Sequence, residues 1–407
     1  MTERPSEAES RYAWFRLVIS MVLGTIGGVG MWSVVVALPA VQADFAVERA
    51  GASLPFTFTM IGFALGGVLA GRIADRFHIV PAIMAAALLL GAGYVLGGLS
   101  ASLWQFALAQ GLLIGVGCSV TFAPIIADVS LWFTKRRGIA VALAACGNYM
   151  AGVVWPPVLQ HFMATSGWRA TYIGIGIFCT LAMIPLTLAL RRPAPTQPSS
   201  AATSIGFGGG GGTLNLSPTA LTVLLSIAGV GCCVAMSMPQ VHIVAYCGDL
   251  GYGVARGAEM LSLMLGFGIV SRIASGFIAD RVGGLPTLLL GSLLQGVALL
   301  LYLGFNGLTS LYVISALFGL FQGGIVPSYA IIVRENFPAR EAGTRFGIVV
   351  MATLLGMALG GWMSGAIFDL TGSYRAAFAN GLLFNGLNLS IVLLLLARRR
   401  GPRLVTA

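Results

Sequence analysis

Charge is what this chain has least of. Only 9% of its 407 residues are Asp, Glu, Lys or Arg, against about 25% in a soluble protein. Acids are scarcest: none lies within 129–248 or 281–334. A pump for amphipathic cations needs acidic residues in its core, and none is present there. No nucleophile–base pair falls at membrane depth, so an enzyme is not expected. The six cysteines, Cys118, Cys146, Cys179, Cys232, Cys233 and Cys247, show no metal-ligand spacing. Five sit well inside apolar runs, which speaks against disulfides and metal sites. No G-x-x-x-x-G-K-[ST] occurs, so ATP drive is not expected, nor any other cofactor. The first sixteen residues are polar and lack the short apolar core and cleavage site of a signal peptide.

Apolar residues are abundant instead, at 57%, and mean hydropathy is +0.91. Charge-free runs cover 17–43, 50–71, 79–127, 138–168, 170–190, 193–248, 282–333, 346–368 and 376–397. A membrane span needs about 20 apolar residues. The long runs 79–127 and 282–333 each hold two helices around a short polar break, and 193–248 holds one helix after a linker. The pattern predicts twelve helices: 16–42, 52–73, 80–100, 104–133, 137–163, 170–190, 218–246, 256–279, 285–304, 309–335, 343–369 and 376–397. With both ends inside, 18 of the 23 basic residues fall on the cytoplasmic side and 4 outside. This follows the positive-inside rule and accounts for the net charge of +10 without nucleic acid.

Residues 191–217, rich in Pro, Ser and Gly, read as a cytoplasmic linker. It divides an N-terminal six-helix half (1–190) from a C-terminal one (218–407) with a basic tail. The halves echo each other. Gly71-Arg72-Ile73-Ala74-Asp75-Arg76 matches Gly276-Phe277-Ile278-Ala279-Asp280-Arg281 at an offset of 205. Gly167–Tyr172 resembles Gly372–Ala377 at the same offset, and Pro39 matches Pro239. A parallel repeat of this kind puts a substrate site between the halves near the membrane midplane.

Arg272 is the remaining basic residue. Counted back from Asp280 it lies eight residues into an apolar helix, roughly 12 Å deep at 1.5 Å per residue. A charge there costs from ~2.5 to ~17 kcal/mol, so it is rarely accidental. Gly268 and Gly276 flank it by one turn on the same face, which leaves room for a small anion to approach. A buried structural ion pair is the competing reading, but no acid is available at mid-depth.

Over its whole length the chain resembles the major facilitator superfamily, whose best-known motif is the G-x-x-x-D-R loop repeated here. Trp132-Phe133-Thr134-Lys135-Arg136-Arg137-Gly138, continuing to Ala144-Ala145-Cys146-Gly147-Asn148-Tyr149-Met150-Ala151-Gly152, is similar to the monocarboxylate transporter signature, shared by oxalate/formate antiporters. Pro239–Tyr246 resembles the end of helix seven in those families. The resemblance implies an all-α fold of twelve transmembrane helices in two pseudo-symmetric halves. It also implies alternating access, gated by Asp75, Arg76, Asp280 and Arg281, with Asp128 in the same ion-pair network. The chain departs from the pattern where animal monocarboxylate transporters carry an Asp and this chain has Gly268. It also lacks their helix-one Lys and the antiporter's helix-eleven Lys.

The expectation is therefore a secondary transporter of a small monocarboxylate, lactate- or pyruvate-like, coupled to a proton. The alternatives are an oxalate/formate-type antiporter exchanging for a counter-anion, or a non-transporting sensor. A single intramembrane cation favours one carboxylate over two. Arg272 would bind it by paired hydrogen bonds. His242 would contact substrate or handle a proton. Trp32, Phe122, Asn148, Tyr149, Gln322, Tyr329 and Trp362 are candidate lining residues. The expected place is a bacterial inner membrane, with both termini cytoplasmic and the monomer functional.

Overall fold

Among the described residues, twelve helices are long and apolar enough to cross a membrane. A computed structural model describes residues 9–77, 79–134, 136–192 and 216–398. Most of the expected linker, and the side chains of Asp75 and Arg76, lie outside the described residues. Among the described residues there is no strand. The spans are α1 (Arg11–Asp44), α2 (Arg49–Phe77), α3 (Ile79–Gly98), α4 (Leu103–Leu131), α5 (Arg137–Ser166), α6 (Trp168–Leu188), α7 (Pro218–Asp249), α8 (Val254–Val282), α9 (Gly284–Gly304), α10 (Leu308–Asn336), α11 (Ala339–Thr371) and α12 (Tyr374–Arg398). Each predicted helix is present, several extended into the polar flanks. Charge places the ends: apolar runs continue as helix until a charged or Gly-rich turn allows the backbone to meet water.

Three spans are interrupted where the sequence pattern draws them whole. α1 breaks at Gly28. α4 passes through a π-helical turn over Ala109–Gly115 and then kinks at Thr121 and Phe122. α10 breaks at Gly323 and Gly324. The last two breaks are repeat-related. Pro124 and Pro327 each follow by a few residues, and each lacks the N–H that would bond the carbonyl four residues back.

We call base the end where α1 begins and α12 ends, and crown the opposite end. The two halves meet along α2 with α11, α5 with α8, and α1 with α7. Glycines set the closeness of the first seam. A Cβ at Gly365 of α11 would lie 2.9 Å from the Arg49 carbonyl of α2. Gly361 packs on Phe56 of α2, and Gly360 on Val234 of α7. Small residues thus bring three backbones together, as membrane helices without a hydrophobic drive require.

Inside each half, buried polar residues hold the helices in register. Ser33 and Tyr94 hydroxyls are 2.8 Å apart, and Gln110 donates to the Tyr172 hydroxyl at 2.8 Å. Tyr302 and Ser315 form the counterpart at 2.8 Å. The ring pairs Tyr94–Tyr172 and Tyr302–Phe378, at 5.2 and 4.9 Å, repeat as well.

Asp128 does serve an ion pair, but one within the first half. It accepts two hydrogen bonds from Arg16 of α1 at 2.8 Å each, and Arg16 lies over the Trp132 ring. Arg16 also donates to the Leu190 carbonyl at the end of α6. Side-chain exposure is 2% for Arg16 and 12% for Asp128. Removing one partner of so buried a pair strands the other charge, costing about 3–5 kcal/mol. Asp128→Asn is therefore expected to lower the thermal unfolding midpoint in detergent substantially. Asp44→Asn, whose pair with Arg169 is 40% and 37% exposed, should cost less than ~1 kcal/mol. Equal midpoints for the two variants would remove this clamp from the account.

Candidate functional site

Three helices converge halfway through the bundle. α1 brings Trp32, α5 brings Asn148, Tyr149 and Gly152, and α8 brings Leu265, Gly268 and Arg272. Their contacts follow from the glycines. A Cβ at Gly152 would lie 3.0 Å from Trp32 Cε2 and also meet Leu265. A Cβ at Gly268 would lie 2.5 Å from Tyr149 Cε1. A Cβ at Gly28, where α1 breaks, would sit 3.1 Å from Asn148 Oδ1. The cluster thus straddles the seam between the halves.

Arg272 is ten residues from the base end of α8, about 15 Å at helical rise. It is half-buried. Its Cζ lies 4.2 Å from the centroid of the Tyr149 ring. Among the described residues it forms no ion pair, and its Nε has no hydrogen-bond partner. Two neighbouring atoms share that condition: Trp32 Nε1, a donor, and Asn148 Oδ1, an acceptor. The Asn148 amide nitrogen lies 3.4 Å from Met31 Sδ. Buried polar groups are nearly always paired, and here three unpartnered atoms lie close together.

The expected open space beside Arg272 exists on one side only. Next to Gly276 nothing lies within 4 Å. The space next to Gly268 is filled by Tyr149, because a large ring on α5 needs the groove that a missing side chain on α8 leaves. The open side of Arg272 is therefore the base side.

The remaining candidates are placed elsewhere. Tyr329 is fully buried in the second half, its hydroxyl 3.3 Å from Asn388 Oδ1 and 3.6 Å from Cys232 Sγ, so it packs rather than lines. Phe122 sits at the α4 kink against Phe63 of α2. Trp362 is 41% exposed on α11. Gln322 is buried with neither amide atom partnered, beside Gly323, which packs on Gly268 and Ser271.

His242 belongs to a second cluster, at the crown. Its Nε2 is 2.8 Å from the Gly361 carbonyl, and its ring is 6.2 Å from that of Tyr374. There Arg49 of α2 crosses the seam, donating to Asp249 Oδ2 of α7 at 2.9 Å and to the Tyr374 hydroxyl of α12. Asp369 of α11 accepts from the backbone N–H groups of Arg49 and Ala50 at 2.9 and 2.7 Å. A carboxylate from one half thus caps the N-terminus of a helix in the other, where the helix dipole favours it. At the base, Asp280 and Arg281 are exposed, and among the described residues neither forms an ion pair. Sequence reasoning misses the crown cluster. Its signal is the repeat offset of 205, which pairs Asp44 with Asp249 and Arg169 with Tyr374.

A family model described as Major Facilitator Superfamily matches residues 20–302 and 223–406. The chain is 29% identical over 353 residues to monocarboxylate transporter 13 of Bos taurus, covering 84% of this chain and 79% of that one. It is 29% identical over 336 residues to monocarboxylate transporter 11 of Homo sapiens, covering 77% and 68%. In structure it is similar to the nucleoside transporter NupG, with a TM-score of 0.72 and 15% identity, over 95% of this chain and 100% of that one.

Proposed function

We propose that this chain, which belongs to the Major Facilitator Superfamily, carries a small organic monocarboxylate of the lactate or pyruvate kind. The family is one of membrane transporters, not enzymes, and this member is a multi-pass membrane protein. The observation that carries the reading is Arg272: a guanidinium at mid-span, on the seam between halves, with no ion-pair partner among the described residues. A planar fork matches a carboxylate by two parallel hydrogen bonds. Trp32 Nε1 and Asn148 Oδ1 supply a donor and an acceptor for a second polar group, such as a hydroxyl or keto oxygen. One cation suits one carboxylate, which disfavours a dicarboxylate such as oxalate. The relatives named monocarboxylate transporters support the same class.

The carrier works by alternating access. The crown is held together by Arg49, Asp249, Asp369 and Tyr374, and the anion enters from the base. The excess of basic residues at the base supports a cytoplasmic face there, in a plasma membrane. The test is uptake of a panel of labelled carboxylates into proteoliposomes. Saturable transport of short monocarboxylates, with oxalate and organic cations rejected, is the expected result. Preference for a dicarboxylate, or transport of none of the panel, would overturn the reading.

A further inference from the structure

Tyr149 faces Arg272 where an ion-pair partner would stand. Its ring covers the surface at Gly268, four residues before Arg272, the position from which an acid on the same helix would reach the guanidinium. Other charged or titratable side chains on the packed helices are turned away. On α5, Cys146 lies close enough for the Arg272 charge to bear on its thiol. On α7, His242 bonds Gly361 and Cys247 lies against Met260. On α10, Tyr329 is turned to Asn388 and Tyr312 to Glu259. On α9, Tyr302 bonds Ser315. On α8 itself, Glu259 pairs with Arg256 at the crown end and Asp280 is exposed at the base. At the base of α1, Arg16 is committed to Asp128.

The charge of the empty site is therefore permanent. A guanidinium does not lose its proton, and among the described residues no carboxylate stands beside it to neutralise it or to take one up. When the halves close over an empty site, that charge is stripped of water without an anion, which is strongly unfavourable. The face of Tyr149 offsets only part of this. When they close over a bound carboxylate, the charge is matched.

We propose that the chain is an exchanger: loaded, it crosses readily in both directions; empty, it returns slowly; and no proton is handled at the anion site. Tyr149 is the positioning residue, holding Arg272 in place while leaving its N–H groups free. This rests on the reading of Arg272 as the anion site, and it replaces the proton coupling expected from sequence. The partner ion is a second monocarboxylate.

The test uses proteoliposomes loaded with labelled L-lactate, pyruvate or benzoate, at equal pH inside and out. Unlabelled anion on the far side should speed efflux at least about tenfold, equivalent to about 1.4 kcal/mol in barrier. That acceleration should stay within about twofold between pH 6 and 8, where neither Arg nor the probes titrate. Gly268→Asp combined with Tyr149→Leu adds a carboxylate and removes the ring that blocks it. It should release efflux into anion-free buffer and make exchange fall as pH rises. Wild-type efflux that ignores the far-side anion, or that follows an imposed pH gradient, overturns the exchange inference. If Arg272→Ala is then inactive, the anion-site reading survives alone. If Arg272→Ala transports normally, or the wild type moves none of the three probes, both fail.

Discussion

Arg272→Ala is expected to weaken saturable monocarboxylate transport severely while the protein still inserts and elutes as a single species in detergent. Truncating one partner of a desolvated charge pair costs about 2–5 kcal/mol, so the half-saturation concentration should rise at least about thirtyfold. Arg272→Lys is the more telling variant. It keeps the charge but loses the planar fork and the stacking surface. The guanidinium lies 4.2 Å over the Tyr149 ring, and an ammonium on a flexible stem does not lie flat there. An affinity loss of about tenfold, 1.4 kcal/mol, is expected for it. If lysine restores wild-type affinity, charge alone suffices and the bidentate geometry plays no part. If alanine transports like the wild type, the anion is bound elsewhere.

Much of this fold is legible in the amino-acid sequence. Twelve spans follow from where charge is absent, because a lipid-embedded backbone has few ways to satisfy its own hydrogen bonds. The depth of Arg272 follows from simple counting. The interruptions are not legible, because a break at Gly28 or Gly323 depends on what the neighbouring helix presents: Ala151 and Asn148 in one case, Gly268 and Ser271 in the other. Tyr149 illustrates the same limit. Gly268 in sequence reads as space, and only packing shows that a ring from α5 fills it. The candidate lining residues divide for a related reason. Tyr329 and Tyr149 are alike in sequence, yet one is tied to Asn388 within its own half and the other faces the seam. Helical position alone does not say which side of a six-helix unit looks inward.

Arg49→Gln is expected to open the crown. The repeat explains why this one residue matters. In the first half Asp44, at the end of α1, is paired by Arg169 at the start of α6. In the second half the corresponding positions are Asp249 and Tyr374, and a tyrosine cannot neutralise the acid. The cation comes from Arg49 in the other half, so a bond that is internal in one half has become a bond between halves. Arg49 is also packed over the rings of Phe368 and Tyr374, and its side chain is only 7% exposed. Losing it should move the balance between crown-closed and crown-open forms by about 1.4 kcal/mol, or tenfold. Ser53 is a suitable reporter. It is fully buried on α2, one turn from Arg49, and cysteine is nearly isosteric with serine. On a background with the six native cysteines replaced, Ser53→Cys should react with a maleimide about tenfold faster once Arg49 is removed. Gly276→Cys, beside open space near the base, should react more slowly. Tyr374→Arg gives the sharper result. It returns an internal cation to Asp249, as Arg169 does for Asp44, and sets a like charge against Arg49. Adding a positive residue to this acidic cluster should therefore open the crown rather than tighten it. If Tyr374→Arg instead slows labelling at Ser53→Cys, the cluster is a sum of charges and not a switched partner, and the latch assignment falls.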